Sequence, residues 1–141
     1  MNTGAFDQYK NQSLSTMSQG ELLVKVFDEL IKQCRLAELA MQRNEKGVEH
    51  ESLIKAQTII STLAASLDER FQISKELRDL YIFFAHELRD ANLRKEVGRI
   101  SAIMPLIKDL RNSFAQADRI SRSDQNSATR QAPAIVGGRA I

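Results

Sequence analysis

The sequence predicts an all-α domain: an up-down-up-down antiparallel four-helix bundle with an N-terminal arm and a disordered C-terminal tail. Three observations predict it. Four segments of some five turns carry apolar residues at the i, i+3, i+4, i+7 spacing of a helix with one buried face. The links between them are short, which makes consecutive helices antiparallel neighbours. Only six Gly and two Pro occur in 141 residues, and one of the prolines lies in the tail.

Residues 1–17 form the arm, polar with isolated Phe6, Tyr9, Leu14 and Met17 and no sustained period. Ser18, Gln19, Gly20 and Glu21 then make a capping box, in which the Ser18 hydroxyl accepts from the Glu21 amide and the Glu21 carboxylate reaches back to the Ser18 amide. A first helix over about 18–43 follows, with Leu23, Val26, Phe27, Leu30, Cys34, Ala37 and Met41 on one side. Val24, Ile31 and Leu39 fall beyond the edge of that stripe, so the apolar surface is too wide for one neighbour. Residues 44–50 read as a polar turn containing Gly47.

A second helix over about 51–67 groups Leu53, Ala56, Ile60, Leu63, Ala64 and Leu67, with Ile54 on the opposite side. Residues 68–73 lead to Ser74, read as the N-cap of a third helix over about 74–93. There Leu77, Leu80, Tyr81, Phe84, Ala85, Leu88 and Ala91 form one face, while Ile82 and Phe83 point away from it on opposite flanks. A fourth helix over about 97–118 aligns Val97, Ile100, Ile103, Met104, Ile107, Leu110 and Phe114. Pro105 costs it a backbone hydrogen bond, yet the apolar phase persists across the proline, which predicts one kinked helix. Residues 119–141 are small and polar and bury too little to offset ordering, hence the expected disorder.

The 20 Lys and Arg are interspersed with 18 Asp and Glu and form no basic block. That pattern, with no Trp and no nucleic-acid motif, argues against nucleic acid as a partner. The lone Cys34 cannot form an intramolecular disulfide, no run approaches a membrane span, and the first residues lack a signal-peptide pattern, so a cytoplasmic protein is expected. No catalytic constellation emerges. The residues three before His50 and His86 are Gly47 and Phe83, so the Glu-x-x-His metal pattern of bundles is absent. Neither histidine continues as H-E-x-x-H, and there is no phosphate loop. An enzyme, a metal and a cofactor are all unexpected.

What remains is a surplus of apolar residues outside the core stripes: Val24, Ile31, Leu39, Ile54, Ile82 and Phe83. Two readings fit it: a surface that holds an amphipathic segment of another protein, or the seam of a structural homodimer without a client.

The ordered blocks of the chain resemble a known family, the flagellin-specific export chaperones called FliS, from about residue 6 to residue 114. Phe6 and Tyr9 stand where the family has a pair of tyrosines. Ser18-Gln19-Gly20-Glu21-Leu22 is similar to its S-P-G-E-L, and Val26-Phe27-Asp28 to its Leu-Tyr-Asp. The closest block is Leu53-Ile54-Lys55-Ala56-Gln57 with Ile59, Ile60, Leu63, Leu67 and Asp68. Leu77, Leu80, Tyr81, Leu88, Ala91 and Asn92 match L-x-x-L-Y followed by L-x-x-A-N, and Leu110-Arg111 with Phe114 matches L-R ending in an aromatic. The departures are Gln19 for proline, Phe27 for tyrosine, Glu29 for glycine, Phe114 for tryptophan, and Ile82-Phe83 at an Asp-Tyr pair. The resemblance implies a chaperone that binds the C-terminal segment of flagellin, keeps it from polymerising early and delivers it to the flagellar export gate. With the surplus residues, it places partner binding at Phe6, Tyr9, Val24, Phe27, Ile31, Ile54, Tyr81, Ile82, Phe83 and Asn92.

Overall fold

The computed structural model of the chain describes residues 17–138, with side chains from 17 to 126. Four helices follow in order: α1 Gln19–Gln42, α2 Lys46–Ala65, α3 Ile73–Arg94 and α4 Val97–Gly138. The fold is the expected all-α four-helix bundle, with no strand among the described residues. Phe6, Tyr9 and the rest of the arm up to residue 16 lie outside the described residues.

Local chemistry sets the helix ends. The Ser18 hydroxyl accepts from the Glu21 amide at 3.0 Å, one half of the expected capping box. The other half is replaced: the Glu21 carboxylate pairs with Arg122 at 3.0 Å instead of turning back. α1 ends at Gln42, and Asn44, two residues on, has a left-handed φ of 56°. Glu45 then donates its amide to the Ala40 carbonyl at 2.8 Å, and Asn44 to Met41 at 3.3 Å, closing the α1 carbonyls that no helical turn follows. Because this reversal takes only three residues, 43–45, α2 begins at Lys46, earlier than expected, and Gly47 lies in its first turn instead of in a loop.

The α2–α3 link is held by side chains. Asp68 accepts from the Arg70 amide at 3.0 Å and from its guanidinium at 2.7 Å. Ser74 is not the N-cap: α3 starts at Ile73, and the buried Ser74 hydroxyl donates to the Asp68 carbonyl at 2.5 Å. α3 ends at Arg94 and is capped by Lys95, left-handed at φ 55°, with the Glu96 amide on the Ala91 carbonyl at 3.2 Å.

α4 passes through Pro105 as a single helix, as the unbroken apolar phase led one to expect, and extends beyond its expected end at Asp118 to Gly138. Residues 119–126 are all exposed, in keeping with their polar composition. Lack of burial does not end a helix, because its backbone hydrogen bonds are local and no Gly or Pro occurs between Pro105 and Pro133.

The chain divides into two compact units. The larger, Val26–Leu110, holds a core of Phe27, Leu30, Cys34, Ala37 and Ala40 from α1, Leu53, Ala56, Ile60 and Leu63 from α2, Tyr81, Phe84, Leu88 and Ala91 from α3, and Ile100, Ile103, Met104 and Ile107 from α4. All but Ala40 belong to the periodic stripes. Polar contacts across this unit fix the helix directions. Lys95 meets Glu49 at 2.9 Å, joining the end of α3 to the start of α2. The Ser101 hydroxyl donates to Glu38 at 2.8 Å, joining the start of α4 to the last turns of α1.

The other unit contains the start of α1, up to Lys25, and α4 from Arg111. Gly20 is what lets these two segments meet. A Cβ at Gly20 would lie 2.2 Å from the Asp118 Oδ1 and 2.9 Å from its Cβ. Asp118 also accepts from the Ser18 hydroxyl at 3.1 Å and pairs with Arg122 at 3.0 Å. Gly20→Ala, which in an exposed helix gains about 1 kcal/mol, is therefore expected to lose about 1–3 kcal/mol through overpacking. Thermal unfolding of the single variant checks the sign.

Cys34 is fully buried, and burial together with the nearby Glu38 pushes its thiol from 9.0 up to about 12. The neutral thiol is therefore favoured by the fold. This contribution is complete below pH 9 and is lost as pH rises from 9 toward 12. The expected result is no labelling of the native protein by a thiol reagent at pH 8, with full labelling in denaturant.

Candidate functional site

The helical wheel explains which apolar side chains the core leaves out. On α3, Tyr81, Phe84, Leu88 and Ala91 face inward, which turns Ile82 and Phe83 outward on either flank, at 47% and 44% exposure. The Phe83 ring is tilted 51° against that of Phe84, with centroids 6.1 Å apart, so its orientation is fixed by a core neighbour. On α2, inward Leu53 and Ala56 put Ile54 outside at 44% exposure. Leu39 of α1 is exposed, and Val24 and Ile31 are half-buried.

Two of the expected partner-binding residues lie elsewhere. Phe27 and Tyr81 are enclosed in the core, and burial pushes the Tyr81 hydroxyl up to about 12. The motifs that contain them are core motifs, and an interior side chain offers no area to a partner. Asn92 is half-buried with both ends of its amide engaged. Its Oδ1 accepts from Lys95 at 3.2 Å and its Nδ2 lies 3.2 Å from the His50 Nδ1, which links α3 to the start of α2.

Sequence reasoning missed several exposed apolar groups. Leu36 stands more than about 100° round the wheel from the α1 stripe, the same signal that identified Leu39. Val48 falls in a stretch whose polar composition reads as a turn, and Phe71 lies in a link that has no period to read. Ile73 and Leu93 sit at the two ends of α3.

Between α1 and α2 a cleft of about 300 Å³ is lined by Glu29, Gln33, Ile54, Lys55, Thr58 and Ile59. Its hydroxyl is already used, since Thr58 donates to the Ile54 carbonyl at 3.0 Å. Lys55 pairs with Glu51 at 3.0 Å. Among the described residues no group of three or more His, Cys, Asp or Glu side chains could hold a metal ion, and no helix is long and apolar enough to cross a membrane. The arrangement offers apolar area with sparse charge, suited to holding a chain segment.

Comparison with known proteins gives a consistent answer. A family model described as flagellar protein FliS matches residues 1–121. The flagellar secretion chaperone FliS of Bacillus subtilis (strain 168) is 27% identical over 123 residues, covering 87% of this chain and 92% of the relative. That of Escherichia coli (strain K12) is 29% identical over 119 residues, covering 82% and 88% respectively. That of Vibrio cholerae is 25% identical over 119 residues, covering 80% and 88%.

Proposed function

The chain belongs to the FliS family of flagellar proteins, and from that premise we propose that it is a cytoplasmic secretion chaperone for flagellin. It holds the C-terminal segment of newly made flagellin, blocks premature polymerisation and hands the client to the export gate. The observation that carries this reading is the outward Ile54, Ile82 and Phe83 on α2 and α3, apolar groups that the core excludes. Membership supplies the secretion role, and the surface supplies a means of performing it.

The energetics favour such a complex. Apolar area returns about 25 cal/mol for each Å² removed from water, while an unstructured client loses conformational entropy on binding. Only the surplus appears as affinity, so the complex can block assembly and still release its client. Light scattering on the full chain, with and without the flagellin C-terminal segment, tests the proposal. A one-to-one complex with the segment is the expected result. A stable dimer that ignores the segment would establish the homodimer seam in its place.

A further inference from the structure

We propose that the cleft between α1 and α2 seats one apolar side chain of a helical client segment while a cationic side chain one turn away on that segment pairs with Glu29. This rests on the flagellin-chaperone reading and adds the chemistry of one subsite.

The cleft joins an apolar wall to an unneutralised charge. Ile54 and Ile59 supply the wall from α2, and Glu29 and Gln33 face it from α1. Gln33 is only 7% exposed, and its Nε2 donates to the Glu29 Oε2 at 2.7 Å. That bond between positions one turn apart holds the carboxylate at the cleft. Among the described residues Gln33 is the one partner of Glu29, and it is neutral. Lys55, the cation of the same lining, is engaged by Glu51 one turn earlier on its own helix.

An occupant must satisfy both features. At about 300 Å³ the space stands at the lower end of small-molecule pockets, a fit for a single large side chain. A purely apolar segment laid over it would strip water from the Glu29 carboxylate without replacing it, which is unfavourable. A segment with Lys or Arg three or four residues from its apolar anchor puts a cation on the same helical face and returns the lost solvation. An acidic residue at that position is repelled, so Glu29 selects the client's register as well as contributing affinity.

The test measures the dissociation constant of the flagellin C-terminal segment for the full chain and for Glu29→Gln, Glu29→Lys and Thr58→Trp, at low and physiological salt. Glu29 and Thr58 are exposed, and unchanged melting of each variant verifies folding. Glu29→Gln is expected to weaken binding about fivefold at low salt and to flatten its salt dependence. Glu29→Lys should weaken it more than about tenfold by juxtaposing like charges. Thr58→Trp, which fills the cleft, should weaken binding with the salt dependence retained. Wild-type affinity in all three variants, together with loss of binding in Ile82→Ser/Phe83→Ser, overturns the subsite and leaves the chaperone reading standing. No binding by the wild type overturns both. If Phe6→Ser/Tyr9→Ser abolishes the effect of Glu29→Lys, the arm is the occupant, and if Glu29→Lys changes the monomer–dimer ratio, a second copy is; either result overturns the proposal.

Discussion

Phe84→Ala and Leu88→Ala are each expected to destabilise the fold by about 2–5 kcal/mol, whereas Ile82→Ser with Phe83→Ser should shift the melting temperature by only a few degrees. All four residues lie within two turns of α3. Phe84 and Leu88 have no exposed area, so truncation leaves a void that a close-packed interior only partly fills. Ile82 and Phe83 are already nearly half in water, so serine removes little buried area. Chemical denaturation of both sets checks the contrast. Equal losses would mean that the outward pair serves the fold and is not spare.

The second large effect concerns the end of α3. Glu49 is buried at 3% exposure, and its Oε1 finds no well-directed hydrogen-bond donor among the described residues, only the Lys95 ammonium 2.9 Å away. Lys95→Met is therefore expected to cost about 2–3 kcal/mol. That is less than the 3–5 of a fully enclosed pair, because the Lys95 side chain is half exposed. Lys95→Gly should also destabilise, although glycine relieves the left-handed backbone at this position. Adding Glu49→Gln should recover most of the loss, since the neutral amide needs no counter-charge. Denaturant titration of the single and double variants reads the coupling directly.

These two predictions also mark what was legible in the sequence. The core of the larger unit could be read from period alone, since burial on a helix repeats every 3.6 residues and Phe84, Leu88, Ile60 and Ile107 kept that phase. The outward Ile54, Ile82 and Phe83 followed from the same geometry by exclusion. Long-range polar pairing was not legible. Nothing in Glu49 or Lys95 announces that residues 46 apart will meet, and the Glu21 carboxylate turned to Arg122 instead of its own helix. Ser74 shows the same limit, because a serine before an apolar run can cap a helix or anchor the preceding loop, and only the path of residues 68–73 decides.

For partner binding, motif resemblance and exposure gave different answers at Phe27 and Tyr81. Both fall in blocks similar to the family's motifs, and both are interior. Motif position identifies residues the fold requires as readily as residues a client touches, so exposure has to separate them. Glu29 was visible as a departure from the family's pattern, but its meaning depends on the Gln33 bond and on the cleft wall opposite, which no linear reading supplies.

The central claim is that the outward apolar groups of α2 and α3 receive flagellin. Calorimetric titration of the full chain with the flagellin C-terminal segment, repeated at several temperatures, tests it most directly, because burial of apolar area gives a negative heat-capacity change. The account predicts saturable one-to-one binding with that signature, reduced more than about tenfold in Ile54→Ser/Ile82→Ser/Phe83→Ser at unchanged fold. Absence of binding, or an affinity and heat-capacity change that the triple variant leaves intact, would contradict it.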